Sequence, residues 1–479
     1  MNEVMDTKIS SKLDENIKYF NEELNVEQNF DILYRVVSFG GKTALFYFID
    51  GLCKDDILEK LMEFFYKITE DQMPESAYEM LKKHMPYLEI DLVDEKELMI
   101  QNILAGVPCL IVDGFDRAIT MDARTYPARG VEEPEKDKVM RGSRDGFIET
   151  LVANTALVRR RIRSPKLTME ITTVGESSRT DVVICYMQDR VDKKVLKQIK
   201  DRMDRIKVDA LTLNQESLAE CMQCGSSLNP FPKFKYSERP DTTAACILEG
   251  SVILFVDNSP AAMILPTTIF DIIEEADDYY FPPVTGTYLR LSRFIINIIS
   301  IVLTPLFMLL IQNPDWIPSG YEFIQIKESV NLPVVWQFLI LELALDGLRL
   351  ASVNTPSMLS TPLSVAAGLI IGDFTVSSGW FNAEVMLYEA FVAIATYTQA
   401  SYELGYALKF MRIVTLILTS LFDLWGFLGG IAITVLMIAF TKTITGRSYL
   451  YPLIPFNGRN LWHRFFRQSL PSANRNAKS

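Results

Sequence analysis

From about Phe294 onward the chain is dominated by Leu, Ile, Phe and Val, yet Glu342, Asp346, Asp373, Glu389, Glu403 and Asp423 stand within or beside the apolar runs. A lone carboxylate at the middle of a bilayer costs roughly 2.5 to 3.5 kcal/mol. A chain carrying several must shelter them in a helical bundle, a pore or a coupling site. Glu342, Asp346 and Arg349 are spaced i, i+4, i+7 on one helix face, with Arg349 placed to pair with Asp346. Glu389, Thr396, Gln399 and Glu403 recur at i, i+7, i+10 and i+14, again one face. Gathered around the axis of an oligomer, these stripes form rings of carboxylates that favour cations. Packed within one chain, they form a hydrogen-bonded seam.

The apolar segments that must position these groups run over about 294–311, 332–353, 362–378, 384–401 and 410–441. A spanning helix needs about 20 residues, so the third is short and the fifth is long. Five crossings would leave the two ends on opposite sides. Arg290 and Arg293 flank the first segment, and every charged residue from Lys442 to Ser479 is basic, which by the positive-inside rule puts both ends in the cytoplasm. Four spans are expected, with 362–378 and its Gly368, Gly372 and Asp373 re-entrant; the other solution is that the last segment is two.

The part before Arg293 is charged and has ordinary globular patterning, and nothing in 1–29 reads as a signal peptide. The net charge of -12 over 479 residues argues against nucleic acid as a partner. Two stretches share an order of strand, turn, strand and helix: Val36 to Tyr66, with Gly40-Gly41 at the turn, and Ile171 to Ile206. Further on, Gly106 precedes the run Cys109 to Asp113 and Gly250 precedes Ile253 to Asp257, both read as hairpins. The expected fold is an α/β tandem-lobe cytoplasmic domain followed by an all-α transmembrane helical bundle. Its divisions are a polar segment 1–29, a first lobe 30–142, a linking helix 143–165, a second lobe 166–285, a helical domain 286–445 and a basic tail 446–479.

Arg159, Arg160, Arg161 and Arg163 end the linking helix, where cations complement the helix dipole or form a patch for anionic lipid or a partner's acidic face. Cys221-x-x-Cys224 has no second Cys pair and only His84 and His463 for company, so no metal is assigned and free thiols are expected. Gly40-Gly41-Lys42-Thr43 lacks the upstream glycine of a phosphate loop, and no nucleophile elbow, zinc-protease or kinase motif is present. The chain is expected to be neither an enzyme nor a cofactor binder.

Met140-Arg141-Gly142-Ser143-Arg144-Asp145-Gly146-Phe147-Ile148-Glu149-Thr150, followed by Asn154 to Leu157 and Arg159 to Ile162, resembles the A subunits of GerA-type spore germination receptors. The likeness continues through Asn229-Pro230-Phe231-Pro232, Glu238-Arg239-Pro240-Asp241, Val256 to Pro260, Pro266-Thr267-Thr268, Glu342-Leu343, Ile371-Gly372-Asp373 and Ser401 to Leu404. Receptor A subunits usually carry Pro and Glu at the positions of Ser143 and Asp145, and the form found here is more similar to the stage V sporulation protein AF branch. The resemblance implies a multi-pass protein of the spore inner membrane, with its front domain and tail facing the spore core, acting when monovalent cations are released early in germination. It also implies a ring-shaped homo-oligomer, working with receptor B and C subunits or, in the AF branch, with a small partner membrane protein. The leading expectation is a cation channel or channel-like subunit; an ion-coupled transporter and a non-conducting sensor or scaffold are the alternatives.

Overall fold

In a computed structural model of the chain, residues 7–85, 87, 89–125, 139, 142–223, 228–328, 330–354, 368 and 375–467 are described. The chain divides into two compact units, Met1–Gln223 with Phe234–Pro266, and Cys224–Lys233 with Thr267–Ser479. The second of these is the helical unit.

The first unit holds two five-stranded antiparallel sheets. One contains β1 (Ile32–Phe39), β2 (Lys42–Ile49), β3 (Ile90–Val93), β4 (Cys109–Val112) and β5 (Ala118–Met121) in the order β1-β2-β4-β5-β3. The other contains β6 (Leu167–Val174), β7 (Thr180–Met187), β8 (Lys235–Ser237), β9 (Val252–Val256) and β10 (Ala262–Leu265) in the order β6-β7-β9-β10-β8. Position by position, the two orders are the same. Gly40 and Gly41 both have positive φ, 53° and 73°, the conformation a two-residue hairpin turn requires and a side chain resists. The central strands are apolar at every residue and buried throughout, β4 as Cys-Leu-Ile-Val and β9 as Val-Ile-Leu-Phe-Val.

The repeat extends to side-chain detail. In the first lobe the helix α1 (Leu13–Glu23) opens with the Leu13 N–H donating to Asp113 Oδ1 at 3.1 Å, and Asn16 exchanges hydrogen bonds with the Ser10 backbone. In the second, a helix at Leu151–Arg161 opens with the Leu151 N–H donating to Asp257 Oδ1 at 3.4 Å, and Asn154 does the same with Ile148. This second helix is shorter than the expected linker, and it is the second lobe's own first helix. Gly106 and Gly250 follow the helices Lys96–Leu104 and Pro240–Glu249 at φ 87° and 100°. They are left-handed helix ends and do not turn hairpins, because the apolar residues before Gly106 (Met99, Ile100, Ile103, Leu104) have helical spacing and are buried on one side.

In the helical unit the long elements are α2 (Pro283–Gln312), α3 (Val334–Asn354), α4 (Ala383–Tyr397) and α5 (Tyr402–Phe440). Two of them, Pro283–Gln312 and Tyr402–Phe440, are long and apolar enough to cross a membrane. The 39-residue α5 is interrupted at Asp423, whose backbone lies at φ 54°, ψ -131°. Its two arms fold back on each other: Gly430 backs onto Thr415, and Met437 and Ile438 pack in one cluster with Leu404, Leu408 and Met411. The last apolar segment is thus two helices. At the hairpin tip, Asn313 Nδ2 donates to Asp423 Oδ1 at 2.6 Å; at the other end of α2, Arg290 donates to the His463 carbonyl at 3.0 Å. Most of the expected re-entrant stretch 362–378 lies outside the described residues; Thr375–Ser377 within it is a single helical turn.

Candidate functional site

Three helices of the second unit converge on a charged cluster. Glu342 of α3 is 5% exposed and accepts from Arg412 Nε at 2.8 Å through Oε1, which Arg412 Nη2 also contacts. The same guanidinium donates through Nη1 to the Ser300 carbonyl at 3.0 Å, tying α2 to the site. Lys409 Nζ lies 3.0 Å from Glu342 Oε2, 3.1 Å from the Glu342 carbonyl and 2.6 Å from Asp346 Oδ2. Lys409 and Arg412 are three apart and share a face of the first arm of α5, while Glu342 and Asp346 are four apart on α3, so the two faces meet charge to charge.

Glu389 completes the cluster from α4. It is 3% exposed, neither carboxyl oxygen accepts from a donor group, and its close neighbour is the Glu342 carboxyl. With Glu342, Asp346, Arg349, Lys409, Arg412 and Thr396 it lines a small cleft. A buried carboxyl without a donor is costly unless a proton or a cation joins it. Counting Arg349, three carboxyls and three cations line the cleft, but no donor reaches Glu389, which leaves it as the group able to take a proton or a cation.

Of the other expected site residues, Arg349 also lines this cleft, whereas Gln399 and Glu403 do not. Arg349 does not pair with Asp346, whose carboxylate is taken by Lys409; its guanidinium lies over the rings of Tyr397 and Tyr406 at 4.9 and 5.1 Å, a cation–π arrangement. Glu389, Thr396, Gln399 and Glu403 do not share one helix. α4 ends at Tyr397, Gln399 donates back to the Ala395 carbonyl, and Ser401 caps α5 by accepting the Leu404 N–H. Glu403 therefore sits exposed in the first turn of the next helix, where an acid suits the dipole. Asp373 lies outside the described residues, as does Cys224 of the Cys221-x-x-Cys224 pair.

The arginine patch is largely committed inward. Arg159 is fully buried, bound to Asp31 and to the Leu167 carbonyl, and Arg161 pairs with Asp145 at 2.6 Å. Arg160 and Arg163 remain on the surface. Among the described residues no cluster of His, Cys, Asp and Glu is suited to a metal ion. Sequence reading missed Lys409 and Arg412. Their signal was two cations at helical spacing in an apolar stretch, complementary in sign to Glu342 and Asp346.

The motif Asn229-Pro230-Phe231-Pro232 holds the end of the hairpin: Asn229 Nδ2 donates to Thr441 Oγ1 at 2.6 Å and the Tyr449 hydroxyl to the Pro232 carbonyl at 2.7 Å. Residues 18–479 match the family described as Bacillus/Clostridium GerA spore germination protein. The chain is 36% identical over 459 residues to stage V sporulation protein AF of Bacillus subtilis, covering 96% of this chain and 93% of that one. It is 26% identical over 467 residues to spore germination protein KA of the same organism, covering 96% and 85%. The N-terminal domain of the A subunit of the Bacillus megaterium spore germinant receptor GerK3 is 25% identical, with a TM-score of 0.41, covering 54% of this chain and 96% of that domain. The chain belongs to the GerA family of spore germination proteins.

Proposed function

We propose that this protein is a multi-pass membrane component of the spore germination machinery that carries monovalent cations across the spore inner membrane early in germination. On this reading it works as a homo-oligomer beside partner membrane subunits, with its basic tail on the core side. Family membership supports the place in germination, and the helices Pro283–Gln312 and Tyr402–Phe440 support the membrane. The observation that carries the ion-handling role is Glu389, buried among three helices with both oxygens unpartnered beside a cleft. Spores whose chain carries Glu389→Gln should release potassium more slowly after a germination stimulus, at unchanged protein level. Normal release kinetics would remove the ion-handling role from this residue.

A second reading has its own observation. Glu342 is neutralised within a single chain, by Arg412 and Lys409, as suits an ion-coupled carrier site between helices better than a ring of free carboxylates. Saturation of cation flux with concentration in liposomes, together with dependence on a proton or sodium gradient, would favour the carrier.

A further inference from the structure

The ammonium of Lys409 occupies a coordination site. Three oxygens surround it at bonding distance: Asp346 Oδ2 at 2.6 Å, Glu342 Oε2 at 3.0 Å and the Glu342 carbonyl at 3.1 Å. Two carboxylates and a carbonyl are ligands suited to hard cations, and an ammonium ion is close to potassium in size and charge. The second observation is Glu389, unpartnered, 3% exposed and lining the same cleft. The two cations bound to Glu342 are not equivalent. Arg412 is fixed by a planar fork on Glu342 and by the Ser300 carbonyl of α2. Lys409 carries its charge on a flexible four-carbon stem with rotatable donors and can leave without dismantling the fork.

We propose that Lys409 is a tethered plug: its ammonium stands in for a monovalent cation between Glu342 and Asp346, and its withdrawal opens that site to potassium or an ion of similar size, with Glu389 next along the cleft. The inference rests on the reading of Glu389 as an ion-handling group, and the two can be separated. Full-length protein reconstituted in liposomes is assayed for thallium influx as wild type, Lys409→Gln and Glu389→Gln. Removing the plug should raise influx about tenfold, as expected when a site largely held in its closed state becomes mostly open, and Glu389→Gln should lower it. Unchanged or reduced influx in Lys409→Gln alongside reduced influx in Glu389→Gln overturns the plug and leaves the ion-handling reading standing. Absence of influx in all three proteins overturns both.

A binding readout is independent of conduction. In detergent, rubidium chloride in place of choline chloride should raise the melting temperature of Lys409→Gln and leave the wild type unmoved, and the added change Asp346→Asn should abolish the effect. Equal response in wild type and variant overturns the proposal. Should Lys409→Gln fail to accumulate, Lys409→Met is the second variant. Failure of both to fold, with no rescue by rubidium during extraction, makes Lys409 a structural clamp and likewise overturns the proposal.

Discussion

Arg159 and Asp31 face each other as a two-pronged pair, Nε to Oδ2 at 2.8 Å and Nη2 to Oδ1 at 2.9 Å, across 128 residues of sequence. Arg159 belongs to the first helix of the second lobe and Asp31 stands at the start of the first lobe's edge strand, so the pair fastens the lobes together. Asn29 adds to the joint, accepting from Arg159 and from the Met169 N–H.

Breaking this pair on one side strands a buried charge. Asp31→Ala should destabilise the joint by about 3 to 5 kcal/mol, whereas replacing both partners with apolar residues of similar volume should cost far less. Hydrogen exchange of the full chain checks it: protection should fall in Leu151–Arg161 and Leu167–Val174 in the single variant and largely return in the double one. Equal loss in both would mean that the shape of the pair, and not its charge, holds the joint.

The hairpin in Tyr402–Phe440 depends on bare backbone at two positions. A Cβ on Gly426 would lie 1.8 Å from the Leu418 carbonyl oxygen, and one on Gly430 2.7 Å from Thr415 Cα, while at Gly429 nothing lies within 4 Å. Gly426→Ala and Gly430→Ala should each cost about 1 to 3 kcal/mol through overpacking, and Gly429→Ala should be neutral or mildly stabilising. Melting temperatures in detergent test the contrast; a similar effect at all three positions would refute the fold-back.

Burial pushes the Cys53 thiol up to about 12, and its sulfur faces the Gly106 carbonyl at 3.6 Å. At pH 8 the thiolate fraction is on the order of one in ten thousand. Iodoacetamide should leave Cys53 unmodified in the folded protein and modify it after denaturation, as peptide mass mapping would show. Rapid modification in the native state would mean that this part of the first lobe opens readily.

Burial works to raise the Asp145 carboxyl, but the Ser143 hydroxyl and the Arg161 guanidinium together outweigh it and hold the group below its ordinary value. A depressed carboxylate contributes stability that is present above the unfolded-state value and disappears as the pH falls through the folded-state value. Asp145 is partly exposed, so the contribution is about 0.5 kcal/mol after solvent screening. Asp145→Asn should be less stable than wild type at neutral pH, and the gap should close as the pH drops below the ordinary aspartate value. A gap independent of pH would assign the effect to packing.

Much of the first unit was legible because its rules are local. Gly40-Gly41 between two apolar runs marks a tight hairpin, and the repeat of strand, turn, strand and helix shows in the spacing of Val, Ile, Phe and Gly. The misreadings at Gly106 and Gly250 came from a glycine that ends a helix as readily as it turns a hairpin; the helical spacing of Met99, Ile100, Ile103 and Leu104 decides between them. In the second unit the acids were visible and their partners were not. Glu342 lies 67 and 70 residues from Lys409 and Arg412, and no periodicity reports a contact made by tertiary packing. That the last segment could be two followed from the count of crossings, but the place of the break did not, since a non-glycine residue at positive φ inside an apolar run leaves no pattern in composition.

The link between Arg290 and the His463 carbonyl bears on how the protein is made. Arg290 also contacts Glu274 and Asp278 nearby, but its bond to His463 waits for 173 further residues to leave the ribosome. The opening turns of the first long helix are therefore completed last, when the C-terminal segment arrives to seal them. A nascent chain released before that segment is translated would expose an unfinished helix start to quality-control proteases.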